Sequence, residues 1–187
     1  MKRLTNVLLI LFFVFSLQGC GGDEPSPPHK SPSALTEDAI GFFCGMQVSA
    51  HSGPKGQVFL KGQDSPIWFV SVRDSLAYSR MPGEKFKISI VYVSDMGVAA
   101  NWDQPGDDAW IRAEGAWYVL GSSRTGGMGM AEVVPFSDKA KAEDFIASYG
   151  GALSRLNDIA TDVLLGSNDG GMTLGGMDKD ETVNDKS

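Results

Sequence analysis

Apolar and polar positions divide the chain into four regimes. An apolar run from Val7 to Leu17 opens it, and a stretch rich in Pro, Ser and charge follows from Asp23 to Ala34. Short apolar runs then alternate with turn residues from about 37 to 165, and polar residues and glycine dominate beyond. Within the third regime, Gln57-Val58-Phe59-Leu60 and Pro66-Ile67-Trp68-Phe69-Val70 are separated by Lys61-Gly62-Gln63-Asp64-Ser65, the pattern of a hairpin. A helix is expected next, with Ser71 as N-cap, Asp74 three residues on and Pro82-Gly83 as its stop. Lys87 to Val93 reads as a strand. The order then recurs: strands at Ala116–Leu120 and Glu132–Phe136, and a helix capped by Ser137 over about Asp138–Tyr149. That helix carries Ala142, Phe145, Ile146 and Tyr149 on one stripe, and a short strand follows at Ala152–Leu156. The pattern predicts an α+β protein built from two pseudo-repeated ββαβ units, 37–100 and 111–165, joined by a connector over 101–110. The tail, 166–187, is expected to be disordered, because Gly, Asp, Asn and Lys leave little apolar surface to bury.

The N-terminus changes where this domain must sit. Met1-Lys2-Arg3, a short apolar run and Leu17-Gln18-Gly19-Cys20 form a lipoprotein signal peptide over 1–19. The run is shorter than the roughly 20 residues that a membrane span requires. Cleavage before Cys20 leaves its sulfur as a thioether to diacylglycerol, and 20–36 is expected to be a lipid-anchored flexible tether. Gly21 and Gly22, with no Asp after the cysteine, favour the outer membrane over the inner one for a lipoprotein facing the periplasm. Loss of Lys2 and Arg3 leaves 14 basic against 23 acidic residues, a formal charge of −9. Nucleic acid is therefore not an expected partner. The membrane is, through the lipid rather than through charge.

Lipidation of Cys20 makes Cys44 a lone thiol in an oxidising compartment, where unpaired cysteines are unusual. Were Phe42 to Met46 extended, Cys44 and Met46 would leave the same face, giving a soft thiolate–thioether pair that suits Cu(I) and not Mg, Ca or Mn. The competing reading places Phe42, Phe43, Cys44 and Met46 in the core. Three residues compete for the place of third ligand. Met128 lies in the glycine-rich stretch Thr125-Gly126-Gly127-Met128-Gly129-Met130, expected to be a loop free to move; His51 and Met96 follow it in that order. Paired with His51, Cys44 also resembles a nucleophile, but no orienting carboxylate has an obvious place. Nor is there a phosphate cradle, dinucleotide fingerprint, HExxH or nucleophile elbow.

Several co-linear motifs together resemble the NosL lipoproteins, accessory proteins of nitrous oxide reductase. They are Phe43-Cys44-Gly45-Met46, His51-Ser52-Gly53-Pro54-Lys55-Gly56-Gln57, Tyr92-Val93-Ser94-Asp95-Met96-Gly97 and Gly126-Gly127-Met128-Gly129, followed by Val134-Pro135-Phe136. The resemblance covers about 42–156. It implies two ββαβ domains similar in fold to organomercurial lyase, and no catalysis. It also implies Cu(I) delivery to the reductase's copper-sulfide centre through a membrane assembly transporter. Carried onto this chain, it makes Cys44 and Met46 core ligands and Met128 the ligand from the second unit. The alternatives are a thiol-dependent enzyme using Cys44 and a copper-sequestering lipoprotein without a delivery partner. The Gly- and Met-containing tail lies outside the resemblance.

The lipobox generates a direct expectation. Cys20→Ser should move the protein from the membrane to the soluble fraction while purified copper binding stays unchanged. Fractionation with a copper assay on both pools checks this, and equal membrane retention of the variant would point to an uncleaved N-terminal helix.

Overall fold

The computed structural model describes residues 30–165; Cys20, the signal peptide and the tail lie outside the described residues. Strands β1 (Gly56–Leu60) and β2 (Ile67–Phe69) lead into helix α1 (Val72–Arg80) and strands β3 (Ile88–Ser94) and β4 (Trp110–Arg112). Then come β5 (Trp117–Leu120), β6 (Val134–Phe136), helix α2 (Lys139–Tyr149), β7 (Ala152–Arg155) and one short turn of helix, α3 (Thr161–Leu164). Two antiparallel sheets result, ordered β2-β1-β3-β4 and β6-β5-β7. Among the described residues, no helix is long and apolar enough to cross a membrane.

Strand β1 is central because both of its faces are covered. Val58 packs with Phe69 and Tyr78, while Phe59 packs with Ile90 and Tyr92 on the other side. Helix α1 starts where the sequence places it, the Ser71 hydroxyl accepting from the Asp74 N–H at 3.0 Å. Its Ser75 lies so close to β1 that any side chain on Gly56 would collide with it. Val72 and Leu76 of α1 join Val93, Ala113, Ala116, Tyr118, Val133, Ile159 and Leu164 in the largest buried cluster. That cluster draws on both sheets, so the two halves share one core. Pro135 sits in the middle of β6, an edge strand, where its missing N–H removes no ladder bond. Its carbonyl accepts from Met96 N at 2.9 Å and so ties the end of β3 to the second sheet.

Three expectations are corrected. Residues 110–112, expected to fall at the boundary between connector and second unit, form a fourth strand on the first sheet, Val93 pairing with Ile111. The sequence signal is weak because the apolar run is only three residues long. Helix α2 is capped by Asp138, which accepts from Ala140 N at 2.8 Å. Ser137 instead donates its N–H to the buried Asp95 carboxylate at 3.1 Å. Residues 30–36, expected to belong to the tether, are held against the fold from Lys30 onward. Ser33 exchanges two hydrogen bonds with the buried Gln57 side chain, and Tyr92 donates its hydroxyl to the Lys30 carbonyl at 2.6 Å. Pro and Ser make the segment extended, and the buried amide of Gln57 needs its partners.

Leu76 is fully buried at the junction of both halves. Leu76→Ala should cost about 2–5 kcal/mol in a urea unfolding experiment. It should lower the stability of both sheets in one transition, since they share the core it fills.

Candidate metal centre

Residues Ile40 to Gln47 form a tight hairpin. Ile40 bridges Gln47, Gly41 N donates to Met46 O at 2.8 Å, and Gly45 N donates to Gly41 O at 2.8 Å. Gly45 adopts φ +66°, a conformation that side chains rarely tolerate, so the glycine between cysteine and methionine serves the turn. Cys44 and Met46 therefore flank a turn rather than lying on one face of an extended strand, which corrects that expectation. Phe42, Phe43 and Met46 are exposed, so the core reading fails for these three. The two rings cluster with Phe69 and Tyr78. Cys44 is a half-buried free thiol that packs against the cluster of Ala39, Val48 and Val70. Gly41 makes room for it: a Cβ there would stand 2.7 Å from Sγ.

The glycine-methionine loop is more ordered than the sequence suggests. Thr125 bridges Ala131, Gly126 N donates to Met130 O at 2.9 Å, and Gly129 N donates to Gly126 O at 2.9 Å. Met128 and Met130 remain on the surface, 44% and 40% exposed. The hairpin and the loop meet across the first turn of α1 around a cavity of about 330 Å³. Cys44 and Phe43 line it from the hairpin, Ser71, Arg73 and Asp74 from the helix, and Met128, Met130 and Glu132 from the loop side. Cys44 and Met128 are thus brought to one cavity, and Met46, on the same turn as Cys44, is not among the residues lining it.

His51 stands behind the loop. Its Nδ1–H donates to the Gly127 carbonyl at 3.1 Å, and the residue lines a neighbouring cavity of about 130 Å³ with Lys55, Asp103 and Trp110. Met96 packs against the cluster of Val119, Val134, Phe136 and Ala142, away from both cavities. Among the described residues, no three His, Cys, Asp or Glu side chains gather as a metal cluster. Three sulfur donors line the larger cavity, Cys44, Met128 and Met130, beside the oxygens of Ser71, Asp74 and Glu132; the sulfurs favour soft ions.

Sequence reasoning missed Glu132. Its carboxylate is buried; one oxygen accepts from Arg73 N at 3.2 Å and from Val133 N at 2.9 Å, and the other has no partner. Burial pushes its pKa up to about 7, against the opposing pull of the two N–H groups and of the Arg73 charge. Burial likewise raises Asp74 and lowers Lys55, the latter to about 8. The available signal was a single acid inside the apolar run Met130-Ala131-Glu132-Val133-Val134.

These features have counterparts in known proteins. The NosL family model matches residues 32–164. This chain belongs to the NosL family. It is 46% identical to the copper-binding lipoprotein NosL of Achromobacter cycloclastes over 135 residues, covering 72% of this chain and 70% of that one. It is 32% identical to the copper-binding lipoprotein NosL of Stutzerimonas stutzeri over 154 residues, covering 82% and 79%. Its fold is similar to the crystal structure of the copper chaperone NosL from Shewanella denitrificans, with a TM-score of 0.66 and 36% identity. That match covers 72% of this chain and 98% of the other. NosL relatives are thus described as copper-binding lipoproteins and a copper chaperone, not as enzymes.

The raised pKa of Glu132 sets a sign for stability against pH. Below about 4.5 the carboxyl is protonated in both the folded and the unfolded chain. Between there and about 7 only the unfolded chain releases the proton, so stability falls as pH rises through the folded pKa. Glu132→Gln should remove that fall. Its stability relative to the parent should rise with pH by up to about 3 kcal/mol, read from urea unfolding at pH 5 and pH 8.

Proposed function

We propose that this chain is a lipid-anchored Cu(I) chaperone, facing the periplasm, that passes copper toward the copper-sulfide centre of nitrous oxide reductase through a membrane assembly transporter. The observation that carries the copper reading is the meeting of Cys44 and Met128, from opposite halves of the fold, at one open cavity. A thiolate and a thioether there form a soft pair matched to Cu(I). Binding replaces the thiol proton with the metal, so the free proton leaves as copper enters. Met46 completes the set by rotating from its exposed position on the same turn as Cys44. His51, bonded to the Gly127 carbonyl, acts on the site through the loop rather than as a donor. Few ligands, with thioethers on the rim, suit an ion that must leave again.

The same reading takes the two ββαβ units as a repeat of one ancestral unit with an organomercurial-lyase-like fold. Its support is the shared strand order, in which the first strand of each unit lies between the second and the third. The thiol-enzyme alternative lacks support, because His51 stands behind the loop and not in the cavity that Cys44 lines.

An anaerobic Cu(I) titration against a competing chelator tests the proposal. Cys44→Ser should take up no Cu(I), and Met46→Ala and Met128→Ala should bind it more weakly. His51→Ala should cost about tenfold, the scale of lost outer support for a ligand. One tightly held Cu(I) in the Cys44→Ser protein would overturn the ligand assignment.

A further inference from the structure

A third cavity, of about 190 Å³, opens between the connector, helix α2 and the segment that leads into the methionine loop. Trp102, Phe145 and Tyr149 wall it, with Met96 beside them. The rings form one stack: Trp102 and Phe145 are 14° from parallel at 6.2 Å, and Phe145 lies 4.7 Å from Tyr149. Arg124 completes the set. Its guanidinium carbon stands 4.2 Å from the Trp102 ring centre and 5.3 Å from that of Tyr149. The frame is fixed, because Trp102 and Phe145 pack on the buried cluster of Val119, Val134, Phe136 and Ala142, and Ser123 N donates to Tyr149 O at 2.8 Å.

Charge singles this arginine out. The chain carries 23 acidic against 16 basic residues, yet among the described residues no carboxylate pairs with Arg124. Arg112 pairs with Glu114, and Arg80 and Arg155 spend their N–H groups on backbone carbonyls. The Arg124 guanidinium has its two rings. Stacking occupies the face of a guanidinium and leaves its edge, a planar fork of N–H donors, open to a carboxylate. The walls beside that edge are aromatic, so the complement is a carboxylate next to an apolar side chain. The cavity falls below the roughly 300–1,000 Å³ of small-molecule sites and suits a side chain of another protein. A single carboxylate amid apolar residues asks for one pairing. An anionic bilayer, or a second copy of this chain, would bring many negative charges against a net charge of −7.

We propose that this groove docks a partner protein that presents a Glu or Asp flanked by an aromatic or aliphatic side chain. The carboxylate pairs edge-on with Arg124, and the apolar neighbour enters beside Trp102, Phe145 and Tyr149. The docking does not depend on the copper reading, and the groove shares no lining residue with the larger cavity. It does grip the methionine loop at its foot. Arg124 is four residues from Met128. Trp102 O accepts from Gly53 N at 2.8 Å, and a Cβ on Gly53 would stand 3.3 Å from the Gly126 Cα and 3.6 Å from the Trp102 ring. A partner held here is anchored next to the loop while the lining of the larger cavity stays free.

The detergent-solubilised full chain, titrated with acetyl-Phe-Glu-Leu-amide and with its Gln counterpart, tests this by NMR at the Arg124 Nε–H and the Trp102 indole N–H. The Glu peptide should shift both signals saturably, and the Gln peptide should bind about tenfold more weakly for want of the charged pair. Arg124→Gln should lose the preference for Glu. Arg124→Lys should recover only part of it, because an ammonium lacks the planar fork. The Glu-against-Gln comparison on the unmutated chain decides the matter even where a variant unfolds. Equal affinity of the two peptides, a Glu preference retained by Arg124→Gln, or no movement of either signal would overturn the site. Shifts of the same signals by phosphatidylglycerol vesicles and not by the Glu peptide would assign the groove to lipid headgroups and overturn the protein partner. Self-association in sedimentation that Arg124→Gln abolishes would make a second copy the occupant, and would overturn it equally.

Discussion

The candidate site depends on holding a hairpin from one half of the chain opposite a loop from the other, and the buried carboxylate of Glu132 joins that loop to the first turn of α1 between them. It lies just before β6, accepts from the Arg73 N–H in the first turn of α1, and lies against Gly126 at the foot of the methionine loop. The arrangement is costly, since one oxygen has no partner and burial disfavours its charge. An apolar residue would spare that cost but could not accept from the Arg73 and Val133 amides, which would then stand unsatisfied in the interior. Stability is given up so that the helix start, the loop and the cavity share one geometry.

The fold was legible wherever periodicity was long and punctuation strong. Helix α1 is an example: Ser71, Asp74 and Pro82-Gly83 all point to the same ends, and the Ser71 cap forms as expected. Strand β4 was not legible, because Trp110 to Arg112 is held by pairing with β3 and not by any pattern of its own. At α2 two neighbouring residues, Ser137 and Asp138, were both competent caps, and the choice fell to Asp95, which claims the Ser137 amide from forty-two residues away. Such long-range competition leaves no local trace.

The candidate site divides along the same line. Cys44 and Met128 stood out because soft donors next to glycine are chemically conspicuous, and the fold brings both to one cavity. Their setting did not stand out. A Gly between Cys44 and Met46 fits an extended strand or a turn equally in sequence, and only the left-handed φ of Gly45 decides for the turn. His51 was noticed as a donor, and one of its ring nitrogens, Nδ1, is engaged by the Gly127 carbonyl. Residue type singled out the soft donors; whether each lines the cavity or props a neighbour is decided by contacts distant in sequence.

On the proposed copper reading, a carrier must hold its ion against loss and still surrender it, and the distribution of burial here separates the two requirements. Cys44, the donor that must lose a proton to bind, is half-buried beside the packed cluster of Ala39, Val48 and Val70, where its position is fixed. The proposed thioether donors, Met46 and Met128, neutral groups that can come and go without charge, are exposed. Exchange can then proceed one thioether at a time while the sulfur of Cys44 stays bound, each step costing a single soft contact instead of the whole coordination shell. The exposed ring of Phe43 borders the same opening, edge-on against the ring of Phe42. An incoming acceptor would meet apolar surface and labile donors first, and the anchored thiolate last.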